Sequence, residues 1–216
     1  MYLNYEVLPA NRGRHFDVEE RLVSGFVLAR RLPGFVEAQV GKYLGSSTLY
    51  IAVRRWQDKA SFEGWGKSAE RQQYAAARPA GLYASEPKHW FLDEVLDSRG
   101  DGQGNFVVST EFTLAGPARW DEFLALRRDH DRVCVEFGGI VSLRHYRDTA
   151  DPAKVRFLTR CRSRSDYERL TAGPEIAAWR SRVPDGMFAI GDSQFFEVVR
   201  EVSACPLRPV TNLGSP

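Results

Sequence analysis

The chain is written twice. Displaced by 105 residues, Gly34 falls on Gly139, Val36 on Val141, Arg55 on Arg160, Glu63 on Glu168 and Glu70 on Glu175. No gap is needed from Gly34 to Ala75, and Lys59 and Phe62 fall on Arg164 and Tyr167. An internal period constrains the fold before any motif does, because each copy is then one structural unit that packs against the other. A chain of 216 residues holds two units of about 100 residues each. Two copies also form a pseudo-dimer whose pockets are free to diverge.

The apolar spacing predicts the elements of each unit. In the first, strands are expected at Tyr2 to Leu8, Phe35 to Tyr43, Thr48 to Trp56 and Lys88 to Leu96. Helices are expected at Phe16 to Arg31 and Lys59 to Ala77, closed by Pro33-Gly34 and by Pro79 with Gly81. The second unit repeats this order. Its strands are Phe106 to Leu114, Ile140 to Arg147, Lys154 to Cys161 and Gln194 to Glu201. Its helices are Trp120 to Val135 and Ser165 to Arg182, the latter bent at Gly173-Pro174. The order β-α-β-β-α-β is the ferredoxin-like split unit. The expected organisation is repeat one over 1–97, a polar glycine-rich linker over 98–105, repeat two over 106–202 and an irregular tail over 203–216. Such a unit has both helices on one face of its sheet, leaving the other face bare. Two copies solve this within one chain, so the fold class expected is α+β: tandem ferredoxin-like repeats packed as an intramolecular α+β barrel with helices outside.

Composition narrows the function. The formal net charge of +2 offers no general attraction for nucleic acid or an anionic membrane. Runs such as Arg127-Arg128 read most simply as solvated faces. The three cysteines, Cys134, Cys161 and Cys205, lack the spacing of a disulfide framework or a zinc site. The four histidines lack metal-ligand spacing, so no metal site is expected. The N-terminus lacks the pattern of a signal peptide, and no apolar run is long enough to span a bilayer. The expectation is a cytoplasmic protein. Gly100, Gly102 and Gly104 lie in the linker without strand-to-helix context, so they are not a dinucleotide fingerprint.

Trp56, Phe62, Trp65 and Ser68, within RRWQDKASFEGWGKS, resemble a tryptophan–phenylalanine–tryptophan–serine stretch of the antibiotic-biosynthesis-monooxygenase superfamily. Leu32-Pro33-Gly34-Phe35 is similar to the turn before its second strand. The resemblance runs through both copies and is diluted in the second, where Cys161, Tyr167, Leu170 and Gly173 hold the matching positions. It implies the dimeric α+β barrel. It also implies an oxygenase of secondary metabolism acting on an aromatic polyketide-type phenol or hydroquinone. Products would be a quinone or a cleaved carbon–carbon bond. The tandem length is shared with oxygenases that open angucyclinone rings. Molecular oxygen is the oxidant, no cofactor is tightly bound, and reduced flavin (FMN or FAD) enters, if at all, as a diffusible cosubstrate supplied by a flavin reductase. The barrel forms as a monomeric pseudo-dimer or within a homodimer. One alternative is a haem-degrading monooxygenase: Asn4 and Trp65 match that branch, but Ala75 stands where its axial histidine belongs, with Tyr74 beside it. Another is a non-catalytic binding partner in a biosynthetic pathway.

Two candidate pockets follow. In the first copy, Asn4 and Trp65 are candidate catalytic groups, with Trp56, Phe62, Tyr50 and Tyr74 as rings for a flat substrate. The same aromatics would also serve as sheet–helix core. In the second copy, a shift of 104 sets Arg127 on Val23 and His130 on Phe26, placing polar groups where core is expected. His130 is the candidate general base and Arg127 the candidate stabiliser of a phenolate or enolate, with Trp120 and Tyr167 lining the substrate. The competing reading is a solvated helix end, RRDHDR. His145, where the first copy has Val40, is expected beside Val141 and Leu143 in the sheet–sheet interface. His15 and His89 are expected at the surface. Glu6 and Glu111 fall at equivalent strand positions. The sequence leans toward the C-terminal pocket as the working one.

Overall fold

Strand β1 (Tyr2–Pro9) shows how the sheet is built: both sets of its alternating side chains are buried. In this computed structural model, which describes residues 1–204, Tyr2 and Leu8 pack against the helices, while Leu3 and Tyr5 point the other way. The first repeat continues through α1 (His15–Ala29), β2 (Phe35–Tyr43), β3 (Leu49–Trp56), α2 (Lys59–Lys67), α3 (Ala69–Ala76) and β4 (Lys88–Arg99). The second runs β5 (Phe106–Leu114), α4 (Trp120–Phe137), β6 (Ile140–Asp148), β7 (Lys154–Cys161), α5 (Arg164–Ala172), α6 (Pro174–Arg180) and β8 (Phe188–Ser203).

All eight strands close into one antiparallel barrel, in the order β1-β3-β2-β8-β5-β7-β6-β4. Each repeat contributes a contiguous ferredoxin-like sheet, and the two sheets join edge to edge at β2–β8 and β4–β6. The bare faces therefore turn inward and cover one another. Leu3, Tyr5 and Ile51 of the first repeat meet Val107, Tyr146 and Leu158 of the second there. Each such side chain, fully buried, contributes roughly 2 kcal/mol. Between them lies an ion network: Glu37 accepts from Arg55 at 3.0 Å and from Arg144 at 2.5 Å, and Arg55 also reaches Glu94 at 2.7 Å. Because Arg144 belongs to the second repeat and Glu37 to the first, the network ties the two halves together.

The structure differs from the sequence expectations in several places. The helix expected from Lys59 to Ala77 breaks at Ser68, whose ψ of 149° leaves the helical region. Its hydroxyl accepts from the Arg71 amide at 3.1 Å and so starts a new helix. Gly173 makes the same break with ψ 148°, here at the place where the sequence predicts a break or bend at Gly173-Pro174. Strand β4 runs through Arg99 into the segment read as linker because β6 pairs with it there. Strand β8 starts at Phe188 and includes Ser203, pairing with β5 and β2 in turn. The rest of the expected tail, and Cys205, lie outside the described residues. Among the described residues no helix is long and apolar enough to cross a membrane.

One correction affects the sites. The copies are related by 105 residues at β3 and β7 but by 104 at β1 and β5: Tyr2 pairs with Trp56, and Phe106 with Cys161. In a strand, an offset of one residue exchanges the faces. Glu6 therefore faces the helices, whereas Glu111 is paired at 2.9 Å with Arg156, whose guanidinium lies over the interior ring of Tyr5. The counterpart of Glu6 is Thr110, and that of Asn4 is Val108.

Candidate active site

Register builds a polar row on the helix-facing side of the first repeat. Asn4 lies opposite Arg54 on β3, and Glu6 lies opposite His89 on β4. Arg54 Nη1 donates to Asn4 Oδ1 at 2.9 Å and meets Glu6 Oε2 at 2.8 Å. His89 Nδ1 lies 3.2 Å from Glu6 Oε1, where its N–H donates. Burial alone would push the Glu6 pKa up, but Arg54 and His89 outweigh it and hold the carboxyl at about 2. Asn4 Oδ1 is thus occupied, leaving its NH₂ as the group for a ligand. His89 keeps Nε2 free, backed by a carboxylate, which is the arrangement of an oriented base.

This row floors a cavity of about 640 Å³ between the sheet and the helices, within the range of small-molecule sites. Its walls carry Phe62 and Trp65 from α2, Tyr74 from α3 and Phe91 from β4. Arg21, Arg71 and Arg78 line it as well, so cations outnumber the one carboxylate. Burial pushes the Tyr83 phenol, another lining group, up to about 12, so it stays a neutral donor.

Of the residues expected here, Asn4, Trp65, Phe62 and Tyr74 come together in this cavity, and Trp56 and Tyr50 do not. Trp56 is wholly buried behind it, edge-on to Phe35 at 5.4 Å. Tyr50 is buried too and donates to Glu19 at 3.2 Å. Tyr74 is only partly free, since its hydroxyl donates to the Arg21 carbonyl at 2.7 Å. Sequence reasoning missed Arg54; His89 is exposed, as expected, and it also lines the cavity, which was not expected. The signal was cross-strand pairing, and a single strand read alone does not contain it.

The second cavity, of about 420 Å³, occupies the equivalent place. The buried stripe of α1 is Val18, Leu22, Gly25, Phe26 and Ala29, and that of α4 includes Phe123, Arg127, Asp131 and Cys134. These stripes superpose at 105, so Arg127 stands on Leu22 and His130 on Gly25, rather than on Val23 and Phe26. The polar row has changed character. Thr110 and Thr159 replace Glu6 and Arg54, and Thr110 meets Ser193 hydroxyl to hydroxyl at 2.8 Å.

His130, Arg127 and Tyr167 line this second cavity, and Trp120 does not. Trp120 stacks on Phe123 at the start of α4, with Arg147 over its ring at 4.2 Å. His130 Nδ1 lies 3.1 Å from Arg127 Nη2 and 3.3 Å from Asp131 Oδ1, so that nitrogen is committed within its own helix. Burial and Arg127 push its pKa down to about 4. Cys134 beside it is pushed up to about 12 by burial and stays a thiol. His145 is fully buried and bonded to Asp131 at 3.0 Å on α4, so it faces the helices and not the barrel interior. Leu143 lies in the same helix-side core, so the alternation that sets His145 beside it holds, and it is the face expected for the pair that is corrected.

Residues 3–77 match the family model described as antibiotic biosynthesis monooxygenase. No curated protein sequence matches the chain. Among solved structures, a candidate monooxygenase from Fusobacterium nucleatum is similar at 12% identity with a TM-score of 0.76, covering 94% of each chain. A candidate monooxygenase from Lactobacillus acidophilus has a TM-score of 0.70 at 12% identity, over 94% of this chain and 96% of its own. A protein described as anthrone oxidase-like has a TM-score of 0.63 at 12% identity, over 94% and 93%. At these identities the likeness is one of fold.

Proposed function

We propose that the chain oxidises an electron-rich aromatic phenol or hydroquinone with molecular oxygen in its N-terminal cavity, most of whose lining falls within residues 3–77, the span that matches the antibiotic biosynthesis monooxygenase model. One observation carries the reading. The cavity combines a free amide at Asn4, a carboxylate-backed imidazole at His89 and a wall of rings at Phe62 and Trp65. This favours the N-terminal pocket, against the lean of the sequence.

In this reading the substrate stacks between the rings, and the Asn4 amide and the neutral Tyr83 hydroxyl donate to its oxygen. His89 Nε2 takes a proton from the reacting carbon or hydroxyl, and Glu6 stabilises the imidazolium through Nδ1. The electron-rich anion reduces oxygen. For an anthrone, a CH₂ group becomes a carbonyl, one oxygen atom stays in the product and the other leaves as water. That balance needs no external reductant. If ring cleavage is the outcome, reduced flavin supplies electrons for oxygen reduction. Arg71 and Arg78 would then be the cations for its phosphate.

The haem alternative finds less support. Ala75 lines the cavity without a ligating atom, and Tyr74 is bonded to the Arg21 carbonyl. The test is oxygen uptake by the purified chain with anthrone and with naphthohydroquinones, each with and without reduced flavin. Uptake lost in Asn4→Ala and in Trp65→Ala supports the reading. Absence of uptake with every substrate favours a non-catalytic binding partner.

A further inference from the structure

The C-terminal cavity carries a buried guanidinium that no carboxylate contacts directly among the described residues. Arg127 is 2% exposed, and Phe112, Phe157 and Trp179 enclose its guanidinium at 5.2, 4.4 and 5.4 Å. Its polar partner among the described residues is the imidazole of His130, and its Nε has none. The nearby carboxylate, Asp131, forms no ion pair with it among the described residues. Asp131 is committed instead to Ser98 at 2.8 Å and to His145 at 3.0 and 3.1 Å. Asp131 reaches Arg127 only through His130, and a buried guanidinium that keeps an unpartnered N–H is unfavourable. Burial accordingly pushes the Arg127 pKa down to about 10.

The first repeat shows how the same place is balanced when it needs no anion from outside. There Leu22 replaces Arg127, and the buried cation, Arg54, sits on the sheet beside Glu6 at 2.8 Å. The second repeat has moved its cation to the helix and lost the sheet carboxylate that would touch it, since Thr110 stands where Glu6 would be. What remains is a cavity of about 420 Å³, with Tyr167, Ile176 and Trp179 on its walls, the buried Arg127 fork at its base and the exposed Arg180 and Asp185 also on its lining.

We propose that the C-terminal cavity is a second ligand site, selective for an aromatic carboxylate whose anion pairs with Arg127 and whose ring lies among Tyr167, Ile176 and Trp179. A guanidinium fork suits a carboxylate, and a charge-assisted pair away from water is the strongest contact available there. This site is independent of the oxidation assigned to the N-terminal cavity. The chain then has two pockets of unlike chemistry on one skeleton, one reacting and one binding.

The test uses the full chain with ¹⁵N-labelled tryptophan, titrated with 2-naphthoate and with the neutral 2-naphthamide. Trp179 lines the cavity, and its indole resonance, assigned by Trp179→Phe, reports on it. The resonance is expected to shift with 2-naphthoate at a Kd at least about tenfold below that for the amide. Arg127→Met and Arg127→Leu are expected to abolish that preference. Equal affinity for acid and amide, a shift confined to Trp65 in the other cavity, or a preference that survives both substitutions overturns the proposal. The acid-to-amide comparison is made on the unaltered chain, so it decides the matter even where a variant fails to fold.

Discussion

Tyr74 on α3 donates its hydroxyl to the backbone carbonyl of Arg21 on α1 at 2.7 Å. The tether recurs 105 residues later, where Trp179 donates its indole N–H to the Leu126 carbonyl at 3.1 Å. Different side chains thus fasten the same pair of helices in both repeats. Gly25 makes room for the first: a Cβ there would come within 2.8 Å of the Tyr74 ring. Gly25→Ala is expected to cost about 1–3 kcal/mol through overpacking, and Tyr74→Phe about 1 kcal/mol through the lost bond. Thermal unfolding measures both. Tyr74→Phe is also expected to leave the absorption spectrum with added haemin unchanged, because its hydroxyl already serves the fold.

Acid should expose the Glu6–Arg54 pair. Glu6 titrates at about 2 in the folded chain, below an unfolded value of about 4.3. Its stabilisation of about 3 kcal/mol is therefore complete above the unfolded value and drains away as pH falls toward 2. Glu37 and Asp97 are also held below the usual carboxylate range, by Arg144, Arg55 and Arg99 outweighing burial, and act in the same direction. Denaturant unfolding between about pH 5 and about pH 2.5 should show Glu6→Gln with a shallower acid slope. A variant as acid-sensitive as the parent would contradict this assignment.

His89 is assigned a chemical role that a merely structural histidine would not show. His89→Ala is expected to lower kcat for oxygen uptake about 10²-fold with little change in KM, and added imidazole should restore part of it. A variant with unaltered kcat would remove His89 from the mechanism.

The contact between Arg144 and Glu37 joins one half of the chain to the other through the barrel interior. Glu37→Gln leaves two buried guanidinium groups without their shared carboxylate, at a cost of about 3 kcal/mol. Two resolved transitions in calorimetry, in place of one, would show that this network couples the repeats.

Much of the fold was legible because it rests on periodicity. The run of strand formers along Tyr2 to Leu8 and the apolar stripe from Val18 to Ala29 each follow from burial on a regular element, and the repeat supplied every element a second time. The site was legible only in part. Asn4, Trp65, Arg127 and His130 stood out as residue types out of place, and all four line cavities. Trp56 and Tyr50 looked equally suitable and are core, because aromatic character does not say which side of the sheet–helix layer a ring fills.

The sequence by itself determined that two like units exist, that each is a ferredoxin-like sheet with helices on one face, and that their linings differ. These follow from local spacing, which a chain carries in one dimension. Tertiary structure decided the rest. Strand register set Arg54, Asn4, Glu6 and His89 in one row although they are distant in sequence. A one-residue difference between the offsets turned Glu6 toward the helices and Glu111 toward the barrel. Burial without a directly contacting carboxylate made Arg127 a guanidinium with donors to spare rather than a surface arginine. Each depends on which groups are neighbours across strands and layers, and that neighbourhood exists only once the barrel has closed.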